Sequence, residues 1–237
     1  MILYNRQVTK AEVEALAIYF TATGWPVSIV VQNSEIASHL QINKHLKLNI
    51  IDFSGQFASE KKSGIVLPAK THVSAAATTF RHLLKSRIIR HEALRLPVLW
   101  HGLWRDLRLA RRLMADLKPA CLFVADDRTP RPDMCFLRAA REVGIPSIVF
   151  SYAASSLESD IHLRNDKLPC HLNYGTARWL KRWLARRFPN HLCPKKGNDL
   201  LFFGVWDMLA LAAVGLADTN PWFLGGGECS SVTVLGP

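Results

Sequence analysis

The clearest periodic signal in the chain runs from Leu103 to Leu117. Leu103, Leu107, Ala110, Met114 and Leu117 fall on one narrow arc at helical spacing, while Arg105, Arg108, Arg111 and Arg112 lie off it. This pattern predicts an amphipathic helix stopped by Pro119. The apolar run Ala120 to Ala125 then predicts a strand, Asp133 to Val143 a helix closed by Gly144, and Ile145 to Phe150 a second strand. Upstream, Ile2 to Tyr4, Pro26 to Val31, Leu46 to Asp52 and Gly64 to Pro68 read as strands. Helices are expected over Lys10 to Thr23 (capped by Thr9, ended by Gly24), Ser34 to Leu40 and Ala75 to Arg90, with Gln56 to Lys62 weakly determined. Strands alternating with helices of this length predict an α/β fold: a parallel sheet covered by helices on both faces.

The second half changes character. Asn165 to Tyr174 looks irregular, Thr176 to Phe188 helical, Asn190 to Asp199 a loop, and Val205 to Val214 a helix closed by Gly215. Asn220-Pro221 starts a turn, Gly225-Gly226-Gly227 makes a corner, and Ser231 to Leu235 reads as a last strand. The chain is therefore expected to form one domain over 1–237, with a core at about 1–152 and a basic, Gly-rich extension at about 153–237. Leu200 to Ala217 approaches the length of a membrane span. Its apolar residues gain roughly 3 to 5 kcal/mol on insertion, but Asp207 near the centre costs about 3. No secretory leader is apparent, because Arg6 and Lys10 closely follow the short apolar start.

Charge changes the picture more than size does. Thirty Lys and Arg against nineteen Asp and Glu leave a net charge of +11, which calls for an anionic partner. Seven of the cations (Arg178, Lys181, Arg182, Arg186, Arg187, Lys195, Lys196) lie between Thr176 and Lys196, with no acid among them. On a helical wheel Trp179, Leu180, Trp183, Leu184 and Phe188 share one half, and Arg178, Lys181, Arg182 and Arg186 the other. That is the pattern of a helix lying on an anionic membrane surface, and equally of an ordinary surface helix packing its aromatics inward. Nucleic acid is disfavoured, since aromatics on the apolar side are poorly placed to stack bases between phosphate contacts. Five scattered cysteines without a Cys-x-x-Cys pair fit buried thiols in a cytoplasmic protein better than disulfides or zinc.

The candidate chemistry is led by Asp126-Asp127-Arg128, where the strand Ala120 to Ala125 ends. In open α/β sheets ligands bind outside the carboxyl ends of strands. There a carboxylate can hold a hydroxyl or accept its proton, with Arg128 as a charge partner. The alternative is that the two aspartates cap loop amides and Arg128 pairs with them. His162, following Glu158 and Asp160, is a candidate for proton transfer. Backbone amides of Gly225, Gly226 and Gly227 can approach a phosphate, or simply turn a tight corner. No Lys-Ser/Thr follows these glycines, and no Gly-x-Gly-x-x-Gly follows the first strand, so neither a P-loop nor a dinucleotide cofactor is indicated. The histidines show no metal spacing, and the serines lack a nucleophile elbow.

The runs KPACLFVADDRTP, REVGIPSIVFSYA and NPWFLGGGECSSVTVLG resemble the N-terminal half of GT-B-type enzymes. These are the glycosyltransferases built of two Rossmann-like domains and the related UDP-N-acetylglucosamine 2-epimerases, especially those of bacterial surface-polysaccharide synthesis. The resemblance covers Lys118 to Leu235 best. It implies a Rossmann-like, acceptor-side domain in which Asp126, Asp127, Arg128 and the Ser151 to Glu158 loop line an interdomain cleft. It further implies a nucleotide-sugar and a glycan or lipid-linked acceptor as partners. The nucleotide-sugar domain would lie outside these 237 residues, leaving the chain inactive alone. The competing expectation is a non-catalytic peripheral membrane or scaffold protein, cytoplasmic and held at the inner face of the plasma membrane by the basic helix.

Overall fold

A computed structural model describes residues 2–5, 18–19, 22–24, 27–31, 48–52, 95–128, 130, 132–150, 156–174, 177–195 and 197–233. Six strands are present among them: β1 (Ile2–Asn5), β2 (Val27–Val31), β3 (Leu48–Asp52), β4 (Leu122–Val124), β5 (Ser147–Phe150) and β6 (Ser231–Thr233). All pair in parallel, in the order β3-β2-β1-β4-β5-β6. This is the strand order of Rossmann-like doubly wound sheets, and it reverses direction between β1 and β4. The expected strand at Gly64 to Pro68, the helices at Ser34 to Leu40 and Ala75 to Arg90, and the Gln56 to Lys62 stretch lie outside the described residues. Of the first expected helix, Ile18, Tyr19 and Ala22 are helical, and Gly24 follows at φ +73°.

Five helices accompany the strands among the described residues: α1 (Arg95–Leu117), α2 (Asp133–Glu142), α3 (Leu157–Asn165), α4 (Arg178–Arg187) and α5 (Val205–Ala213). The apolar arc read from the sequence is the buried face of α1, with Leu103, Leu107, Ala110 and Met114 all inaccessible. The helix begins two turns earlier than that arc, because Pro97 falls in its first turn, where no intrahelical N–H is required. Right-handed crossovers place the β3–β4 and β4–β5 connections on the same face of the sheet, and α1 and α2 indeed pack along each other. Ala110 and Met114 meet Phe136 and Leu137 of α2 over Leu122, Val124 and Val149 of the sheet. Farther along α1, Leu103 and Leu107 share a second cluster with Met134 and Cys135 of α2, Leu184 of α4, and Val205, Met208 and Leu211 of α5. The basic extension thus packs onto the same helical layer as the core.

α3 occupies a stretch, largely 159–164, for which the sequence pattern predicts no element. Only Asp160 and Ile161 of its nine residues are buried, so it has no apolar stripe to reveal it. Its end signals are present: Ser156 accepts the Ser159 N–H, Glu158 and Asp160 lie in the first turn, and His162 and Arg164 in the last. No helix among the described residues is long and apolar enough to cross a membrane, since α5 spans only Val205–Ala213 of the apolar stretch.

His191 ties the extension together. It is fully buried, with Nε2 2.9 Å from the Ala217 carbonyl, and its own carbonyl accepts from the Trp222 indole and the Phe202 backbone, each at 2.9 Å. Nδ1 has no hydrogen-bond partner. Burial holds the imidazole neutral, lowering its pKa from 6.5 to about 4. The unfolded chain therefore takes up a proton below pH 6.5 that the folded chain refuses. Stability should fall as pH drops from 6.5 towards 4, by up to roughly 3 kcal/mol, and flatten below that. Urea denaturation across this range should show the slope in the wild type, and a shallower one in His191→Gln.

Candidate functional site

β4 ends at Val124, beside β1 at the point where the strand order reverses, and Ala125 leads into the Asp-Asp-Arg triplet. The loop that follows is organised by its own side chains. Asp126 Oδ1 accepts the Arg128 backbone N–H at 3.0 Å and the guanidinium Nε at 3.3 Å, a turn closed by an aspartate. Arg128 Nη1 then donates to Asp160 Oδ2 at 2.7 Å, joining β4 to α3. The other oxygen of Asp160 accepts from Arg164 Nη1 at 2.8 Å, one helical turn on. Arg164 in turn donates Nε to the Phe202 carbonyl and lies 3.3 Å above the Phe202 ring centroid. Burial lowers its pKa, and the Asp160 carboxylate opposes that shift. One carboxylate is thus held between two guanidiniums, in a network with little solvent on it.

The two neighbouring aspartates have different environments. The Asp126 side chain keeps 30% of its surface exposed. Asp127 is buried, and its Oδ2 accepts the Gly225 N–H at 2.9 Å, the Gly227 N–H at 3.0 Å and the Cys229 thiol at 3.6 Å. Its Oδ1 has no hydrogen-bond partner. Desolvation raises the Asp127 pKa, and the two glycine N–H groups pull it back only in part. Burial, followed by the Asp127 carboxylate, pushes the Cys229 thiol up to about 12, so it faces Asp127 as a protonated donor.

The structure thus brings together two features that the sequence left apart, the triplet and the glycine run. The amides of Gly225 and Gly227 are taken by Asp127, which makes this a corner around a carboxylate. A Cβ on Gly227 would lie 2.8 Å from the Asp127 carbonyl oxygen, and Gly225 sits at φ +88° with a Cβ position 2.7 Å from Val232. Gly226 turns inward against Asn220, whose N–H it accepts at 2.6 Å. Glu158 and His162 stand on the exposed side of α3, one turn apart, while Asp160 between them points to the triplet. Ser151 lies outside the described residues.

The basic helix differs from the expectation at two points. Arg178, Trp179, Arg182, Trp183 and Arg186 are exposed, but Lys181, expected at the membrane surface, is 3% exposed. Its ammonium donates to the carbonyls of Leu168, His171 and Tyr174 at 2.8 to 3.2 Å, supporting the short 3₁₀ turn at Leu168–Cys170. An ammonium with three acceptors is well satisfied there, and its four-carbon stem reaches them from the inner face of α4. The wheel is also divided differently: Leu180, Leu184 and Phe188 pack inward, and both tryptophans face out beside the arginines.

Asp160, Arg164 and Glu228 escaped the sequence reading. Asp160 and Arg164 form an acid–base pair at helical spacing, legible once α3 is recognised. Glu228 is buried and accepts from Arg138 at 2.7 Å and Arg141 at 2.6 Å, partners some ninety residues away that no local pattern reveals. No group of three His, Cys, Asp or Glu side chains among the described residues is placed to hold a metal ion. No protein-family model matches the chain, and no curated protein is significantly similar to it in sequence.

Replacing Asp127 separates its acceptor role from its charge. Asp127→Ala strands the two glycine N–H groups and should cost about 2 kcal/mol in urea denaturation. Asp127→Asn keeps an acceptor for them and removes the ionisation. Because the folded pKa is raised, the wild type loses stability as pH rises through the carboxyl range and above. The Asn variant should therefore compare better with the wild type at pH 7 than at pH 3.5.

Proposed function

We propose that the carboxyl edge of the sheet around β4 and α3 binds the acceptor in a glycosyl-transfer reaction, or the sugar in an epimerase-like one, on a nucleotide-sugar. In this reading the chain is the acceptor-side domain of a GT-B-type enzyme in polysaccharide or glycolipid synthesis, and a second domain holds the nucleotide-sugar. The observation that carries it is the position of Asp126. It is a partly exposed carboxylate at the carboxyl end of the strand beside the switch point, where open α/β sheets bind ligands.

The chemistry divides among the residues by their access. Asp126 accepts the acceptor hydroxyl, and its proton as the oxygen bonds to the anomeric carbon and the bond to the nucleotide phosphate breaks. Arg128 orients Asp126 through its backbone N–H and its Nε, and is itself fixed by Asp160. Asp127, with no surface to offer a substrate, shapes the loop from behind. Glu158 and His162, exposed on α3, are available to the outer part of the acceptor.

In the full-length enzyme, nucleoside diphosphate release should fall about 100-fold in Asp126→Asn, within the range expected for loss of a general base. Asp127→Asn should change it far less. An unchanged rate in Asp126→Asn, with the variant folded, would remove this assignment.

A further inference from the structure

α4 has one face on the protein core and a second face with a different character. At 100° per residue, Arg178, Arg182, Arg186, Trp179 and Trp183 lie on the half opposite Leu184, Arg187 borders it beyond Trp183, and all six are exposed. Trp179 is 73% exposed and Trp183 51%, so two of the largest apolar side chains stand in water at the crest of a helix. They are i and i+4 neighbours, and arginines flank them on both sides. No acidic residue occurs anywhere in the helix. Arg182 donates to the neutral Asn173 side chain at 2.8 Å, which orients the guanidinium without cancelling its charge.

We propose that this crest docks the protein on an anionic lipid bilayer. Trp179 and Trp183 enter the boundary between headgroups and acyl chains, where indole rings with an N–H donor partition best. Arg178, Arg182 and Arg186 reach lipid phosphates beside them. The shape of the surface favours a bilayer over single-stranded nucleic acid. Single strands are held in a charged groove with bases stacked on its aromatics, whereas α4 offers a convex ridge. The first helix of the layer provides the contrast. Trp100 and Trp104 of α1 are also half exposed, but the Trp104 ring is engaged within its own helix, by Arg108 at 5.3 Å and His101 at 6.4 Å. This docking does not depend on the acceptor-site reading, since it uses none of those residues.

Vesicle flotation tests it, with phosphatidylcholine vesicles made with and without phosphatidylglycerol, at low ionic strength. The protein should float with the anionic vesicles only, and added salt should weaken this. Trp179→Ala/Trp183→Ala should reduce the bound fraction about tenfold, and Arg182→Gln/Arg186→Gln should reduce it with the apolar contact intact. Trp104→Ala should leave it unchanged. Lipids brominated in the acyl chain should quench tryptophan emission in the wild type, and much less in the double-tryptophan variant. All of these positions are exposed, so unchanged thermal unfolding should accompany each effect. The proposal fails if anionic vesicles do not float the protein, or if the double-tryptophan variant floats as well as wild type. It fails equally if a single-stranded oligonucleotide binds through the same tryptophans and displaces the vesicles.

Discussion

The last strand reaches the sheet because one buried carboxylate gathers the chain that precedes it. β6 has three residues, all at least partly exposed, and too little apolar surface to hold itself against β5. Asp127 fixes Gly225, Gly227 and Cys229. Glu228, between them, is clamped by Arg138 and Arg141 of α2, and the Ser230 N–H closes on the Ser147 carbonyl. The segment 225–230 is therefore held at almost every residue by a polar contact with the β4–α2–β5 unit. That density of buried polar partners explains why the corner needs glycines: at Gly227 the carboxylate loop occupies the space a side chain would fill.

The same constraint sets the character of the candidate site. With Asp127 turned inward, Asp126 is the more accessible carboxylate of the pair, and Arg128 bonds to Asp160 as well as to Asp126. The guanidinium–carboxylate–guanidinium arrangement of Arg128, Asp160 and Arg164 makes α3 a wall of the site although α3 has almost no apolar face. Charge pairing takes the place of burial in fixing that helix. Each partner removes the cost of leaving the others charged and poorly solvated.

The extension after α3 shows a related economy. Lys181 and His191 are buried polar side chains that donate to carbonyls outside the α-helices and strands, at Leu168, His171, Tyr174 and Ala217. With Lys181 engaged inward and Leu180 and Leu184 on the core, the outer arc of α4 is left to arginine and tryptophan. Its surface character follows from what the inner arc is needed for.

The apolar arc of α1, the β-branched runs, Pro119 and Gly144 were legible because each depends on nearest neighbours along the chain. They determined the α/β class, the succession of elements and the position of Asp126-Asp127-Arg128 at the end of a strand. α3 was missed because it is held by ion pairs and has no periodic apolar face. The sheet order, the division of labour between Asp126 and Asp127, the burial of Lys181 and the outward turn of Trp179 and Trp183 were decided only in three dimensions. Helical spacing defines an arc, but which part of that arc meets the core depends on Leu103, Met208 and their neighbours in other helices. Likewise, two adjacent aspartates are equivalent in sequence until glycine N–H groups about a hundred residues away claim one of them.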